Sequence, residues 1–157
     1  MIVHNIPPLY NKNSDTLILG SFPSVKSRET EFFYGHPQNR FWRVLAGVFC
    51  CDVPQTTEEK KRLVLENRLA LWDVIAECEI VGSADTSIKN VKPNDIAEII
   101  KNSAVSRIFV NGRTAEKYYI RYTEKRLGQK AICLPSTSPA NAAWSLDRLI
   151  DTWRVIR

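Results

Sequence analysis

The stretch Thr16-Leu17-Ile18-Leu19-Gly20-Ser21-Phe22-Pro23 opens as an apolar run and closes in turn-forming residues. The run at 16–19 is almost continuously hydrophobic, which is typical of a parallel strand buried on both faces. Gly20 and Pro23 permit a tight turn directly after it. Three more short apolar runs share this character, at 69–75, 107–110 and 131–134. The sequence therefore predicts four strands of a mainly parallel sheet.

Helical patterns separate these strands, at residues 40–49, 56–67, 94–102, 114–126 and about 141–156. Thr56 followed by Glu59 is a capping-box signature, and Asn94 is predicted as the N-cap of the third helix. The last helix is predicted to face the core with a stripe at helical spacing, formed by Leu146, Leu149, Ile150, Trp153 and Ile156. Strands that alternate with helices predict an α/β sandwich.

The bulk properties fit one globular domain spanning residues 1–157. The net charge of +5 makes the chain mildly basic, which permits a polyanionic partner without requiring one. No apolar run approaches the roughly 20 residues that cross a bilayer. The N-terminal residues lack the basic region and apolar core of a signal peptide, so a cytoplasmic protein is expected.

The cysteines and histidines do not suggest a metal site. Cys50 and Cys51 are adjacent, Cys78 and Cys133 lie far away, and no CxxC pair exists. The chain contains only two histidines. We therefore predict reduced thiols, with Cys78 and Cys133 in apolar surroundings, and no bound metal.

Ligands of parallel α/β sheets bind at the carboxyl ends of the strands. The residues predicted to follow the four strands there are 20–23, 73, 111–113 and 135–138. Gly20 to Ser24 alone could be an ordinary strand exit or could turn backbone N–H groups toward a substrate. Because several polar segments converge on one edge, a binding site is expected there.

The segment Tyr34-Gly35-His36-Pro37-Gln38-Asn39-Arg40-Phe41-Trp42 carries further candidates. Tyr34 could stack on a base, which is worth roughly 1–3 kcal/mol. Asn39 could orient a water, or cap the helix that starts at residue 40. His36 could donate to a phosphate or leaving group, or serve as a structural hydrogen-bonder. Phe41 and Trp42 are predicted to anchor the helix in the core.

A third segment, Leu134-Pro135-Ser136-Thr137-Ser138-Pro139-Ala140-Asn141, leads from the fourth strand toward the last helix. Small hydroxyls and backbone N–H groups before a helix form a natural phosphate grip. The same residues also suit a capped helix start made rigid by prolines. The two interpretations are compatible.

Taken together, GSFPS, YGHPQNRFW and LPSTSPAN resemble, in their order and spacing, the uracil-DNA glycosylase superfamily, and within it the hypoxanthine-DNA glycosylase (DNA-deoxyinosine glycosylase) branch. The resemblance covers most of the chain, from Thr16 to the last helix. It implies a three-layer α/β/α sandwich with a four-stranded parallel sheet. It also implies a pocket for a flipped-out base, DNA with deaminated bases as partner, a monomeric enzyme, and neither cofactor nor metal.

The resemblance also implies roles for individual residues. The base pocket would be formed by Gly20, Ser21 and Phe22, with Tyr34 stacking on the base and Asp73 near the position that reads it. DNA would be contacted by Pro23, Ser24, His36, Ser136, Thr137, Ser138, Pro139, Ala140 and Asn141.

Phe22 departs from the superfamily pattern. Relatives that remove uracil or thymine carry Asp or Asn at this place, whereas a phenyl ring cannot orient water. In the hypoxanthine branch the catalytic amide belongs to the HPQN segment, here Asn39. The motifs contain no lysine, so an imine intermediate is not expected. The sequence therefore favours hydrolysis of the N-glycosidic bond of deoxyinosine by a monofunctional enzyme.

Three other interpretations remain open at this point. One is a mismatch-directed glycosylase acting on uracil or other deaminated bases, against which Phe22 weighs. Another is a non-catalytic DNA-binding or nucleotide-binding domain of the same fold, since fold alone does not fix function. The last is a purely structural α/β domain, which would make the three ordered motifs an accident.

Overall fold

A computed structural model describes residues 1–157. The strands are β1 (Ile2–Val3), β2 (Thr16–Gly20), β3 (Leu69–Asp73), β4 (Ile75–Glu79), β5 (Lys89–Pro93), β6 (Arg107–Asn111) and β7 (Ile132–Leu134). The helices are α1 (Val25–Thr30), α2 (Phe41–Val48), α3 (Thr57–Glu66), α4 (Ala97–Lys101), α5 (Arg113–Tyr122), α6 (Glu124–Leu127) and α7 (Leu146–Trp153). Short 3₁₀ turns cover Asp85–Ser87 and Arg154–Ile156.

The central sheet has the order β3-β2-β6-β7, and all its strands are parallel. Successive residues of β2 alternate between two apolar clusters: Ile18 belongs to one, Leu17 and Leu19 to the other. Helices α2 and α7 cover the first face, while α4 and α5 cover the second. The predicted three-layer sandwich with a four-stranded parallel sheet is thus confirmed, because each strand is apolar on both faces.

The run at 69–75, predicted as one strand, is divided in the structure. β3 ends at Asp73, and β4 begins at Ile75 in a separate antiparallel sheet of order β1-β4-β5. Asn94 fixes the division, because its Nδ2 donates to the carbonyl oxygens of Asp73 at 2.9 Å and Ile75 at 3.2 Å. The prediction of Asn94 as a helix cap was therefore wrong, and α4 begins only at Ala97.

Two more predicted helices are shorter than expected. The helix predicted at 114–126 breaks at Thr123 into α5 and α6. The last helix begins at Leu146 and not near 141, because the Ser145 hydroxyl caps it by accepting from the Arg148 N–H at 3.2 Å. The predicted core-facing stripe of α7 is confirmed, with Leu149 and Trp153 fully buried.

One helix was missed and one cap was predicted correctly. α1 was not predicted; the Ser24 hydroxyl caps it by accepting from the Ser27 N–H at 3.1 Å. At α3, Thr56 Oγ1 accepts from the Glu59 N–H at 3.1 Å, as the capping box predicts. The Glu59 carboxylate reaches one residue further than expected, accepting from the Gln55 N–H at 2.7 Å.

The helices α2 and α7 approach closely at Gly47. A side-chain carbon at Gly47 would overlap the side chain of Ile150. The absence of that carbon therefore allows α7 to lie against α2, which carries Asn39 and Arg40 immediately before its first turn. None of the helices is both long enough and apolar enough to cross a bilayer.

The four thiols are unpaired and differ in exposure. Cys78 is buried and Cys133 half-buried, whereas Cys50 and Cys51 are exposed. Burial raises the pKa of Cys78, and the cationic groups of Arg28 and the N-terminus offset this only in part. Cys78 is therefore a poor nucleophile at neutral pH.

Candidate active site

A cavity of about 250 Å³ opens at the carboxyl edge of the parallel sheet. Gly20 at the end of β2 lies beside Asp73 at the end of β3, and Asn111 ends β6 next to them. The cavity brings together all the predicted site residues except Asn141, namely Gly20, Ser21, Phe22, Pro23, Ser24, Tyr34, His36, Asn39, Asp73, Ser136, Thr137, Ser138, Pro139 and Ala140. Asn141 lines a wider adjoining groove of about 620 Å³.

Asn39 reaches the cavity just before α2. Its Oδ1 accepts from the Phe41 N–H at 2.9 Å and from the Thr137 hydroxyl at 2.8 Å. Both lone pairs of the amide oxygen are therefore occupied, and the opposite amide orientation would set Nδ2 against the Phe41 N–H. Nδ2 makes no hydrogen bond within the protein and is accessible from the cavity. Asn39 thus offers donors to a ligand, whereas its amide oxygen is already occupied.

Asn111 fixes this arrangement from the next strand. Its Nδ2 donates to Thr137 Oγ1 at 3.0 Å, and its Oδ1 accepts from the Thr137 N–H at 3.1 Å. The Arg40 N–H in turn donates to the Thr137 carbonyl at 3.0 Å. Thr137 is fully buried. Its hydroxyl therefore positions Asn39 and is not available to a DNA phosphate, which differs from the contact predicted for it.

Tyr34 lines the cavity, and its hydroxyl lies near Gly20. Phe41 stacks on one face of the Tyr34 ring, with ring centroids 3.9 Å apart and planes inclined by 15°. Asn111 Nδ2 donates to the Tyr34 hydroxyl at 3.3 Å. Burial, and after it the negative charge of Asp73, raises the pKa of Tyr34 well above its usual value, while the Asn111 bond offsets this in part. The hydroxyl consequently keeps its proton and remains a donor.

Asp73 is paired behind the cavity wall with His4. His4 Nε2 lies 2.7 Å from Asp73 Oδ2, and the two side chains are only 2% and 7% exposed. His4 Nδ1 accepts from the Ile6 N–H at 3.2 Å, so the proton of a neutral His4 is on Nε2. His4 therefore donates to Asp73.

Gly20 and Phe22 shape the floor and wall of the cavity. A side-chain carbon at Gly20 would overlap Asp73 Oδ1 and lie 3.2 Å from the Tyr34 hydroxyl. Glycine at this position therefore lets the Asp73 carboxylate lie against the end of β2. The Phe22 ring is nearly buried and meets the His4 ring edge-on, at 6.0 Å and 77°. Phe22 thus forms an apolar wall, and its ring offers no hydrogen bond to water.

The segment 136–144 is held in shape by its own polar groups. Ser136 Oγ accepts from the Ser138 N–H at 3.1 Å, and Ser138 Oγ accepts from the Ala140 N–H at 3.2 Å. Asn141 Nδ2 donates to the Ser136 carbonyl at 3.0 Å. Each serine hydroxyl acts as an acceptor in these bonds, so its proton is left to donate to a ligand such as a phosphate oxygen. Pro139 and Ala140 are exposed at the tip.

Arg40 ties this segment to the start of α2. Its guanidinium donates to the carbonyl oxygens of Trp144, Ser138 at 3.2 Å and Asn141 at 3.0 Å. Its Nε is buried without a partner. Three carbonyls converging on one cation fix the loop far more firmly than the backbone alone could. Arg40, which directly precedes the first residue of α2, therefore also anchors the segment 138–144.

The first motif and the His36 turn complete the cavity rim. Ser24 is half-buried and caps α1, so its hydroxyl is already partly used. His36 Nδ1 accepts from the Gln38 N–H at 3.1 Å, which leaves the proton of a neutral ring on Nε2 as a donor. Ser83 and Asp85 approach from the loop after β4, and Ser83 Oγ accepts from the Val25 N–H at 2.9 Å.

Several side chains at or beside the site had been assigned no individual role from the sequence, among them His4, Arg40, Ser83, Asp85 and Asn111. Asn111 carried a usable signal, because it ends a predicted strand at the ligand-binding edge. His4 carried none, since it reaches Asp73 only through the pairing of β1 with β4. No group of three or more His, Cys, Asp or Glu side chains is arranged to hold a metal ion.

Comparison with known proteins agrees with this geometry. The family model of the Uracil DNA glycosylase superfamily matches residues 7–157. A hypoxanthine DNA glycosylase of Methanosarcina acetivorans is 33% identical over 150 residues, 94% of each chain. One of Methanosarcina barkeri is 32% identical over 138 residues, 86% of this chain and 85% of its own. A solution NMR structure of a Methanosarcina acetivorans protein superposes with a TM-score of 0.82 at 30% identity, covering 99% of each chain. This chain belongs to the uracil DNA glycosylase superfamily.

Proposed function

We propose that this protein is a monofunctional DNA glycosylase that releases hypoxanthine from deoxyinosine in DNA, as a step of base excision repair. The observation that carries the proposal is Asn39, held by Phe41 and Thr137 with its amide donors turned into a cavity at the strand ends. Phe22, at the place where uracil-removing relatives carry Asp or Asn, and the names of the two similar glycosylases favour hypoxanthine.

The target nucleotide first has to leave the duplex. Extrusion costs a few kcal/mol, and least for a poorly paired base such as hypoxanthine. In the cavity the base would lie against the free face of Tyr34 and the apolar wall of Phe22. Ser136 and Ser138 hydroxyls and His36 Nε2 are the donors proposed to hold flanking phosphates, with Pro139 and Ala140 meeting the duplex.

The bond between C1′ and N9 then breaks, and its electron pair leaves with the purine. Positive charge develops on the sugar. Because such a cation reacts readily with a weak nucleophile, the position of the attacking water matters more than its nucleophilic strength. We assign this placement to Asn39 Nδ2, which can donate to the water oxygen. The water oxygen bonds to C1′ and loses a proton. The departing purine anion takes up a proton, so the products are an abasic sugar and neutral hypoxanthine.

The first experiment is base release from end-labelled oligonucleotides that contain one deoxyinosine, deoxyxanthosine or deoxyuridine, with abasic sites cleaved by alkali. We expect release at inosine. Asn39→Ala should lower the single-turnover rate by about 10²–10³-fold while DNA binding stays within about twofold, because only a positioning group is lost.

The outcomes separate the candidate functions. Release at uracil but not at inosine would identify a mismatch-directed uracil glycosylase. No release by the wild type, with binding of the oligonucleotides intact, would identify a DNA-binding domain and overturn the proposal. Full activity of Asn39→Ala would be compatible with a glycosylase but would show that Asn39 does not place the attacking water.

A further inference from the structure

We propose that the turn between β4 and β5, residues 80–88, is a second element that contacts duplex DNA, and that Val81 packs against the sugars and bases beside the extruded nucleotide. This inference rests on the proposed function, since the DNA is the substrate whose base enters the cavity. The motifs that resemble the superfamily do not include this turn.

The turn borders the base cavity. Ile80 and Ser83 line the cavity, and Asp85 lines both the cavity and the wider groove beside it. Residues 136–140 line the same cavity. A DNA strand that delivers a nucleotide into the cavity therefore comes close to the turn as well as to that segment.

Val81 is the most exposed large hydrophobic residue of the chain, at 75%. A single exposed aliphatic side chain is common on protein surfaces and indicates nothing alone. Val81, however, directly follows Ile80 and lies two residues before Ser83, both of which line the cavity. Its apolar surface therefore lies at the rim that DNA has to approach.

Hydrogen bonds hold the turn in shape before any DNA arrives. The Val81 N–H donates to Ser87 Oγ at 2.8 Å, and the Arg28 guanidinium donates to the Gly82 carbonyl at 2.7 Å. Arg28 belongs to α1, so the turn is anchored to a helix. A β-branched side chain on an anchored turn loses little conformational entropy on contact.

The composition of the turn determines which part of DNA it suits. Residues 80–88 contain no lysine or arginine and one ionisable side chain, Asp85. Such a turn does not attract the phosphate backbone, which binds proteins mainly through cationic groups. Apolar side chains meet DNA at its sugars and bases, above all where the stack is opened. The contact is therefore with the surface that an extruded nucleotide leaves behind.

The tip of the segment 136–144 provides little of this apolar cover. Its exposed residues are all small: Pro139, Ala140, Ala142 and Ala143. Extrusion of a nucleotide exposes the faces of the neighbouring bases, which alanine methyl groups cover only in part. The isopropyl group of Val81 adds to this cover, and the extruded state is stabilised in proportion to the apolar area removed from water.

The first test compares release of hypoxanthine from duplex and from single-stranded oligonucleotides in single turnovers. Val81→Ala should slow release from the duplex about fivefold or more, because two methyl groups no longer leave water. Release from the single strand should stay within about twofold, since there is no paired stack to open. Val81→Leu keeps the apolar surface and should remain close to wild type.

Val155→Ala is the matched control. Val155 is also exposed, at 47%. Its carbonyl accepts from Arg107, the first residue of β6, so it lies at the edge of the sheet opposite the cavity. This variant should leave both release rates unchanged. Because both valines are exposed, neither alanine variant should change the free energy of unfolding appreciably.

A binding measurement that needs no turnover separates this inference from the proposed function. The probe is a duplex with one tetrahydrofuran abasic-site analogue, which already contains the gap. Wild type should bind it about fivefold or more tightly than Val81→Ala does, while the two bind undamaged duplex equally. That difference supports the contact even if no base is ever released.

Three results would overturn the inference. One is equal affinity of wild type and Val81→Ala for the duplex with the abasic-site analogue. Another is an equal loss of release from single-stranded and duplex DNA in Val81→Ala. The last is a failure of the wild type to bind the duplex with the analogue.

Discussion

Thr137 shows how much of the site depends on one hydroxyl. It donates to Asn39 Oδ1 at 2.8 Å and accepts from Asn111 Nδ2 at 3.0 Å, although it faces no solvent. Without it, Asn39 is held only by the Phe41 N–H. Thr137 therefore helps to determine the direction in which the Asn39 amide points.

Thr137→Val keeps the shape of the side chain but removes that hydroxyl. We expect the single-turnover rate at inosine to fall about tenfold or more, since small misplacements near a reacting centre are costly. DNA affinity should change little. Thr137→Ser retains the hydroxyl and should keep most of the rate. A valine variant as fast as wild type would mean that Asn39 needs no support from Thr137.

For individual residues, the sequence predicted which side chains lie near the site but not how their polar groups are oriented. Asp73 was placed at the sheet edge because the strand ends could be read from apolar runs, whereas Tyr34 and Asn39 were identified from the motif YGHPQNRFW and its resemblance to the superfamily. The Asn39 amide orientation depends on Thr137, 98 positions away, and the position of Asp73 depends on His4, 69 positions away. Single-sequence patterns carry no information on such contacts.

Arg40 acts at the scale of elements, because it joins the start of α2 to the segment 138–144. Arg40→Lys cannot reach three carbonyls at once. We expect the free energy of unfolding to fall by about 2–4 kcal/mol, as charged hydrogen bonds are lost from buried acceptors. DNA affinity should also weaken, because Ser138 and Pro139 lose their fixed position.

The matched control for Arg40 is Arg43→Lys. Arg43 is exposed on the same helix, and its bond to the Gln38 carbonyl is long at 3.4 Å. Its substitution should leave stability within about 0.5 kcal/mol. Urea denaturation and a DNA titration measure both effects. Equal behaviour of the two lysine variants would show that the Arg40 contacts contribute nothing.

Gly47 sets the distance between α2 and α7. Gly47→Ala adds helix propensity of about 1 kcal/mol but overpacks against Ile150. We expect a net loss of about 1–2 kcal/mol in urea denaturation. Ile150→Ala should make the added carbon harmless, so the double variant should be more stable than the sum of the single effects predicts. Strict additivity would contradict this account.

The elements themselves were predicted well where hydrophobicity is continuous and poorly where it is not. β2 and β6 were recovered nearly to the residue because both faces are buried. β5 reads Lys-Asn-Val-Lys-Pro and is largely exposed, so it gives no strand signal. β1 has only two residues and depends entirely on its pairing with β4.

At the scale of the whole molecule, the protonation of Tyr119 makes the free energy of unfolding depend on pH in the alkaline range. It is buried, and its hydroxyl donates to the Gln129 carbonyl at 2.6 Å. Burial, with a smaller effect of Glu124, raises its pKa from 10.0 to about 12. The folded state thus holds the proton more tightly than the unfolded state. The resulting stabilisation is complete below pH 10 and is lost as the pH rises to about 12.

Tyr119→Phe should flatten this dependence. The variant loses about 1 kcal/mol near neutral pH with the hydrogen bond, but its urea midpoint should fall less steeply than that of wild type above pH 10. The urea midpoint of Tyr119→Phe should still fall somewhat above pH 10, because burial also raises the pKa of Tyr34 and of Tyr118. Parallel curves for the two proteins would remove Tyr119 from the explanation.

The bond between Thr137 and Asn39 also has a consequence for synthesis of the chain. A ribosome that has just added Asn39 must add 98 more residues before Thr137, the second donor to this amide oxygen, exists. The loop that carries Thr137 is then shaped by Trp144, later still, through Arg40. A nascent chain that stops before residue 137 therefore cannot yet hold the Asn39 amide in the direction proposed for catalysis.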